Sequence, residues 1–114
     1  MPSKRNPLNL NPLQLKTLTL LQELARLPGH AEPGDEPGAL VVRDLPFPHD
    51  DHFHVGECVV AARDATGLRN PAVWVALERK GLVRAASGDQ VTLTALGQDY
   101  ETGLRDAILR RGGH

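Results

Sequence analysis

The segment from Asp64 to Tyr100 constrains the fold of this chain most strongly. Residues 77–84, LERKGLVR, end a helix with basic side chains and then a glycine, which is the usual chemistry of a helix C-terminus. Ser87-Gly88-Asp89 is a turn signal, and residues 90–94, QVTLT, alternate polar and apolar side chains as a half-buried strand does. This segment therefore predicts a helix, a strand, a tight turn and a second strand.

Asn-Pro pairs predict the starts of two helices, because asparagine is a good N-cap and proline fits the first helical turn. One pair is Asn11-Pro12 and another is Asn70-Pro71. In the second of these helices, the spacing of Val73, Trp74 and Leu77 directs all three side chains into the core. We expect a helix over 11–26, a strand over 39–42, helices over 56–65 and 70–81, strands at 83–84 and 90–94, and a last helix from 95 to about 110.

The LERKGLVR segment, a short ribbon and VTLTALG (residues 91–97) together resemble the end of the winged-helix domains of bacterial regulators, especially the MarR-like group. The resemblance implies an α+β winged helix-turn-helix over residues 11–111, with a small sheet and a short wing. It also implies a DNA-binding, transcriptional-regulator-like protein of weak sequence specificity. A sheet of four or more strands would contradict this arrangement.

Composition limits the size of the core and the strength of nucleic-acid binding. The chain has 114 residues, of which 4% are aromatic, so we expect one domain with a core of leucine, valine and alanine. A formal net charge of −1 gives no bulk attraction to nucleic acid, although a local basic face is compatible with it. Cys58 is the only cysteine, so no disulfide can form within the chain, which fits a reducing compartment.

The first ten residues are polar and are basic at Lys4 and Arg5. We expect residues 1–10 to form a flexible tail, and the alternative is an arm that reaches a DNA minor groove. The N-terminus lacks the apolar segment of a signal peptide, and no apolar run approaches the ~20 residues that a membrane span needs. We therefore expect a cytoplasmic protein without membrane contact.

The helix predicted over 11–26 is rich in leucine around about half of its circumference. One core needs a narrower apolar stripe, so the excess suggests a second buried surface. We expect a homodimer formed by residues 11–27 and 95–110, as the terminal helices of MarR-like proteins pair between subunits. The alternative is that the extra leucines fold back onto the core of their own chain.

The helix over 70–81 is the expected recognition helix, with Arg69 and Asn70 at its start. Arg79, Lys80 and Arg84 lie near its far end, where they can hold DNA phosphates. The alternative is that these three are solvated charges at a helix C-terminus. The short wing, Ser87-Gly88-Asp89, carries only a negative charge, unlike regulators with a basic wing tip, so Arg84 is the one basic candidate there.

The other outward positions of this helix favour a different function. Ala72, Val75 and Ala76 can contact a thymine methyl group but cannot form bidentate hydrogen bonds with bases, and Glu78 repels phosphate. Some winged helices use this face for protein contacts instead. A winged-helix protein-interaction module is therefore the alternative to DNA binding.

Residues 49–54, HDDHFH, supply metal-ligand types at His49, His52 and His54, with Cys58 nearby. Their spacing matches no structural zinc motif, and a fourth ligand requires Asp51 or Cys58 to turn inward. We expect an ordered loop over 45–55 that braces the helix over 56–65, without a bound metal; a metal-responsive sensor is a further alternative.

No enzyme signature is present in the sequence. The glycines of the acidic loop over 30–38 lack the spacing and the following lysine of a phosphate-binding loop. Cys58 falls in a predicted helix, where a small apolar side chain is expected, and not in a nucleophile site. We therefore expect neither catalysis nor a cofactor.

Overall fold

The structure, a computed structural model, describes residues 6–27, 29–43, 45, 52–55, 58–87 and 90–111. It is a mixed α+β structure of short elements. In chain order these are α1 (Pro12–Ala25), β1 (Ala31–Pro33), β2 (Leu40–Val42), β3 (His52–Val55), β4 (Cys58–Ala61), a 3₁₀ helix (Ala62–Arg69), α2 (Pro71–Arg79), β5 (Val83–Ser87), β6 (Gln90–Leu93), α3 (Ala95–Asp99), α4 (Arg105–Ile108) and β7 (Arg110–Arg111).

Two antiparallel sheets form among the described residues. One has the strand order β1-β2-β6-β5, and the other has the order β3-β4-β7. The short strand expected over 39–42 is confirmed as β2, and it lies beside the ribbon because Leu40 is paired with Leu93 of β6. The larger sheet nevertheless has four strands, which contradicts the expected winged-helix arrangement in its strand count.

The fourth strand comes from the segment expected to be a loop over 30–38. Residues 31–33 form β1 and pair with β2, and the Pro- and Gly-rich residues between them form the turn of this hairpin. The turn is closed by a hydrogen bond of 2.9 Å from the Gly34 amide to the Ala39 carbonyl. The turn residues were recognisable in the sequence. The strand pairing of residues 31–33 with β2 was not, because it depends on β2 having a free edge.

Helix α1 begins as expected, with a reciprocal capping box. The Asn11 side chain accepts from the Gln14 amide at 2.8 Å, and the Gln14 side chain accepts from the Asn11 amide at 3.0 Å. The middle of α1 is buried on nearly every side, including Thr17 and Thr19. It contacts the 3₁₀ helix, α2, α3 and the larger sheet. Most of the apolar surface of α1 is therefore packed within one chain, as the alternative to a homodimer expects, and the homodimer stays a prediction.

The helix expected over 56–65 is wrong. Residues 58–61 form strand β4, paired with β3, and the 3₁₀ helix follows. β-Branched Val59 and Val60 favour a strand when a partner strand is present, and here residues 52–55 supply it where we expected a loop. The 3₁₀ helix lies against α1 so closely that a Cβ atom on Gly67 would collide with the Thr17 hydroxyl.

Helix α2 confirms the helix expected over 70–81. Val73 and Leu77 are buried as expected, and Gly81, at φ +77°, ends the helix with a hydrogen bond of 3.0 Å from its amide to the Glu78 carbonyl. Trp74 is only half-buried, so its expected inward placement is wrong in part. Its indole nitrogen instead donates to the Leu68 carbonyl at 3.2 Å, at the edge of the core.

The helix expected from 95 to 110 is also wrong in its length. Thr94 caps its start as expected, accepting from the Gly97 amide at 3.0 Å. The helix stops at Asp99, and the chain turns through Gly103, at φ +74°, before the short α4. The side chain of Arg105 in α4 donates to Glu23 of α1 at 3.0 Å, and this hydrogen bond with the carboxylate charge raises the pKa of Arg105. The segment therefore forms two short helices in place of one. The Thr94 cap fixes the start of the first, and the Arg105–Glu23 contact holds the second against α1.

The segment before α1 packs against the body of the protein from Asn6 onward. Leu10 is 3% exposed and belongs to the core. The Leu8 amide donates to the Tyr100 hydroxyl at 2.9 Å, and the Leu8 carbonyl accepts from Lys80 Nζ at 2.8 Å. The tail expected over 1–10 therefore does not extend to Leu10, and residues 1–5 lie outside the described part.

The core is built mainly from leucine and valine side chains of the helices and of both sheets, as the low aromatic content predicts. Only Leu96 and Val75 are large apolar side chains that stay exposed among the described residues, at 51% and 48%. No helix in the described part of the chain is long and apolar enough to cross a membrane. The largest fully buried side chains are those of Leu18, Leu20, Leu21, Leu24, Val42, Val55, Val60, Leu68, Leu77, Leu82, Val83 and Leu93.

Candidate nucleic-acid interface

The candidate surface is the outer face of α2 and the β5–β6 ribbon that follows it. The buried positions of α2 fix the helix on the core, which leaves Pro71, Ala72 and Val75 exposed on the other side. Asn70 caps the helix, because its side-chain oxygen accepts from the Ala72 amide at 3.0 Å. Asn70, which we expected to take part in nucleic-acid binding at the start of this helix, therefore also has a structural role.

Two of the predicted nucleic-acid-binding residues, Arg69 and Arg79, are exposed at opposite ends of α2. Arg69 immediately precedes the helix cap and lies on the surface. Arg79 occupies the last turn, and its side chain makes no hydrogen bond or ion pair with any residue that the structure describes. A helix of nine residues spans about 14 Å, so these side chains can reach phosphates that are well separated along a duplex.

Lys80 and Arg84, the other two predicted cations, are held by specific partners. Lys80 is exposed, but its Nζ donates to the Leu8 carbonyl, which ties the end of α2 to the segment before α1. Arg84 Nε lies 2.6 Å from Glu36 Oε2, and the two side chains are 52% and 46% exposed. Both side chains are therefore partly exposed to solvent. Each also contacts a residue outside α2, namely Leu8 for Lys80 and Glu36 for Arg84.

Glu78 has a role that the sequence did not indicate. Its carboxylate accepts a long hydrogen bond of 3.4 Å from the Ala85 amide, which links the last turn of α2 to β5. Ala85 adopts φ +54°, and the pairing of β5 with β6 shifts by one residue between Arg84 and Ser87. This is a β-bulge with a left-handed alanine, and the position of Glu78 fits an acceptor for the amide that the bulge leaves unpaired. Glu78 also places a negative charge on the candidate surface.

An apolar groove lies between α2 and the ribbon. Its volume is about 380 Å³, near the lower end of the range of small-molecule sites, and its apolar lining is interrupted by Arg69, Glu78 and Gln90. Trp74 and Val75 form one wall of the groove. Because the sequence pattern places the Trp74 side chain in the core, it gives no sign of this groove. The groove is lined by Leu45, Leu68, Arg69, Pro71, Trp74, Val75, Glu78, Ala86 and Gln90.

The histidine-rich segment is only partly described. The backbones of His52 and His54 belong to β3, opposite Ala61 and Val59 of β4, whereas their side chains and all of His49 lie outside the described residues. Within the described part, no group of three or more His, Cys, Asp or Glu side chains could hold a metal ion. The expectation about metal binding therefore stays a prediction.

The surface can bind an anion by charge, but it offers little for reading bases. Arginine guanidinium groups form charge-assisted hydrogen bonds with phosphate, whereas Ala72 and Val75 can only contact methyl groups. Comparison of the chain with protein families, curated proteins and solved structures gives no match.

Proposed function

We propose that this chain is a winged-helix protein, similar to transcriptional regulators, that binds double-stranded DNA mainly through the phosphate backbone. The strand order β2-β6-β5 supports the proposal, because it is the order in which a short strand flanks a wing ribbon. The chain order also supports it, with α1 and β2 first, then two helical segments, then the ribbon. The four-stranded sheet exceeds the three strands of the expected arrangement, so the proposal takes the edge strand β1 and the β3–β4 hairpin as additions to a winged-helix core.

The observation that carries the proposal is the placement of α2. Its first turn is exposed at Pro71 and Ala72, while Arg69 and Arg79 flank the exposed face from opposite ends. An exposed helix with cations at its ends suits a groove between two phosphate chains. Because the central side chains are small and apolar, we expect weak discrimination between sequences.

A titration of fluorescein-labelled, mixed-sequence duplex DNA, followed by anisotropy at several salt concentrations, tests this function. We expect the logarithm of the binding constant to fall linearly with the logarithm of salt concentration, by about 0.9 for each phosphate contacted. Duplexes of different sequence should bind with similar affinity. The absence of salt-dependent binding at low salt would overturn the proposal.

A matched pair of arginine variants locates the surface. Arg79→Ala should weaken binding and reduce the salt slope by about 1, because one phosphate contact is lost. Arg26→Ala makes the same charge change in a different place, since Arg26 is exposed at the end of α1 in a cleft with Gln98 and Asp99. Equal losses in the two variants would show that only net charge matters.

The groove favours a second candidate function, a protein-interaction module that receives an apolar side chain of a partner. Its wall includes the most exposed valine of α2, and single apolar contacts in such grooves dominate many interfaces. The substitutions Val75→Arg and Val75→Glu distinguish the candidates. DNA binding should strengthen with arginine and weaken with glutamate, whereas both charges should weaken an apolar interaction, here probed by binding of a hydrophobic dye.

A further inference from the structure

The turn between β1 and β2 holds an acidic residue in a fixed position. The Gly34 amide donates to the Ala39 carbonyl at 2.9 Å, and the Ala39 amide donates to the Glu36 carbonyl at 3.1 Å. Gln98 of α3 then donates from Nε2 to the Gly38 carbonyl at 2.6 Å. The turn is therefore anchored to another element, and the position of Glu36 is set by the fold.

Arg84 crosses the outer face of the sheet to reach this turn. The register pairs Arg84 with Thr92 of β6 and Thr92 with Val41 of β2, so the three residues lie side by side on one face. The guanidinium of Arg84 ends at Glu36, with 2.6 Å between Nε and Oε2. The basic residue of the ribbon is thus directed toward β2.

We propose that Glu36 is an intramolecular competitor of DNA phosphate for Arg84, so that the acidic turn restrains DNA binding by the ribbon. The inference rests on the proposed function. A carboxylate and a phosphate offer the same kind of oxygen acceptor to guanidinium. Because both side chains are about half exposed, the ion pair is weak enough for a phosphate to replace it.

A comparison of two neighbouring acidic residues tests the competition. Glu36→Gln removes the competing charge, and Asp35→Asn makes the same charge change at an exposed residue that has no ion pair within the described part of the chain. In the anisotropy titration we expect Glu36→Gln to bind DNA about two- to fivefold more tightly than Asp35→Asn, the size of a surface ion pair. Equal affinities of the two variants would overturn the proposal.

The Arg84→Ala background shows whether Glu36 acts through Arg84. We expect the extra gain from Glu36→Gln to disappear in that background, because no guanidinium is left to release. A gain that persists without Arg84 would also overturn the inference. If the wild type binds DNA while either of these tests fails, only the inference is lost. If the wild type and all variants fail to bind at low salt, the proposed function is lost and the inference falls with it.

Discussion

The hydroxyl of Tyr100 donates a hydrogen bond of 2.8 Å to Oδ1 of Asn6, a residue 94 positions earlier in the chain. The same hydroxyl accepts from the Leu8 amide, and Asn6 in turn bonds the amide and the carbonyl of Leu10. Through this network the segment before α1 is fastened to the loop that follows α3. The segment also reaches the end of α2 through Lys80, so it connects three parts of the protein.

The first prediction concerns this network. Tyr100→Phe keeps the ring but removes the donor to Asn6 and the acceptor for Leu8, so we expect a loss of about 1–2 kcal/mol in the free energy of unfolding. Urea denaturation measures the loss. Hydrogen exchange of the Leu8 amide should also accelerate. An unchanged denaturation midpoint together with unchanged exchange would show that Leu10 and the Lys80 hydrogen bond hold the segment without Tyr100.

The second prediction concerns the close approach of the 3₁₀ helix to α1. Gly67→Ala should destabilise the fold by about 1–3 kcal/mol, because the added methyl group meets the Thr17 side chain. In the background of Thr17→Ala the cost should shrink, with a coupling of about 1 kcal/mol. Both are measured by urea denaturation.

Gly34→Ala is the control for the second prediction. A Cβ atom at Gly34 would meet its nearest neighbours at 3.5 Å, an ordinary contact distance, so this variant should be nearly neutral. Equal costs for the alanine substitutions at Gly67 and Gly34 would contradict a steric origin.

The third prediction concerns the left-handed alanine of the β5 bulge. Ala85→Gly should relieve about 1–2 kcal/mol of backbone strain and lose about 0.4–1 kcal/mol through a more flexible unfolded chain. We therefore expect a net stabilisation of between about 0 and 1.6 kcal/mol, read as a higher denaturation midpoint. Ala86→Gly, without a positive φ to relieve, should destabilise. Destabilisation by both glycines would show that Ala85 is not strained.

The fourth prediction concerns the oligomeric state. The apolar face of α1 that suggested a homodimer through residues 11–27 and 95–110 packs within one chain, with Leu18, Leu20, Leu21 and Leu24 buried, so we expect a monomer in sedimentation velocity at micromolar concentration. Leu96 is the large apolar residue left exposed on α3, and Leu96→Glu serves as the control. A dimer that dissociates in Leu96→Glu would restore an interface through residues 95–110.

The fifth prediction concerns metal binding by the histidine-rich segment. From the spacing of His49, His52 and His54, we expect far less than one zinc per chain by elemental analysis of protein purified without chelator or affinity tag. His52→Ala and His30→Ala are the variants to compare, since His30 lies in a separate part of the sequence. Stoichiometric zinc, lost with thermal stability only in His52→Ala, would favour the metal-sensor alternative.

The sequence was sufficient wherever the deciding interactions are local. Asn11, Asn70 and Thr94 cap helices through bonds to amides two or three residues away, and Gly81 ends α2 through its positive φ. The unpaired backbone amides at a helix start are bonded by side chains close by in the sequence. The residue types alone therefore identified these helix boundaries. The strand at 40–42 followed from a short run of apolar and β-branched residues, and the ribbon strands followed from the turn signal and the alternation after it.

Only the tertiary structure decided the features that depend on distant partners. Residues 58–61 form a strand because residues 52–55 pair with them, and residues 31–33 form one because β2 has a free edge. The leucines of α1 face one core because the 3₁₀ helix and the sheet enclose them on several sides. Arg84 was identifiable as a cation of the ribbon, but its pairing with Glu36 joins residues 48 positions apart and depends on the sheet register and on the anchored turn that holds Glu36. Burial and pairing are properties of the assembled chain, and no local pattern contains them.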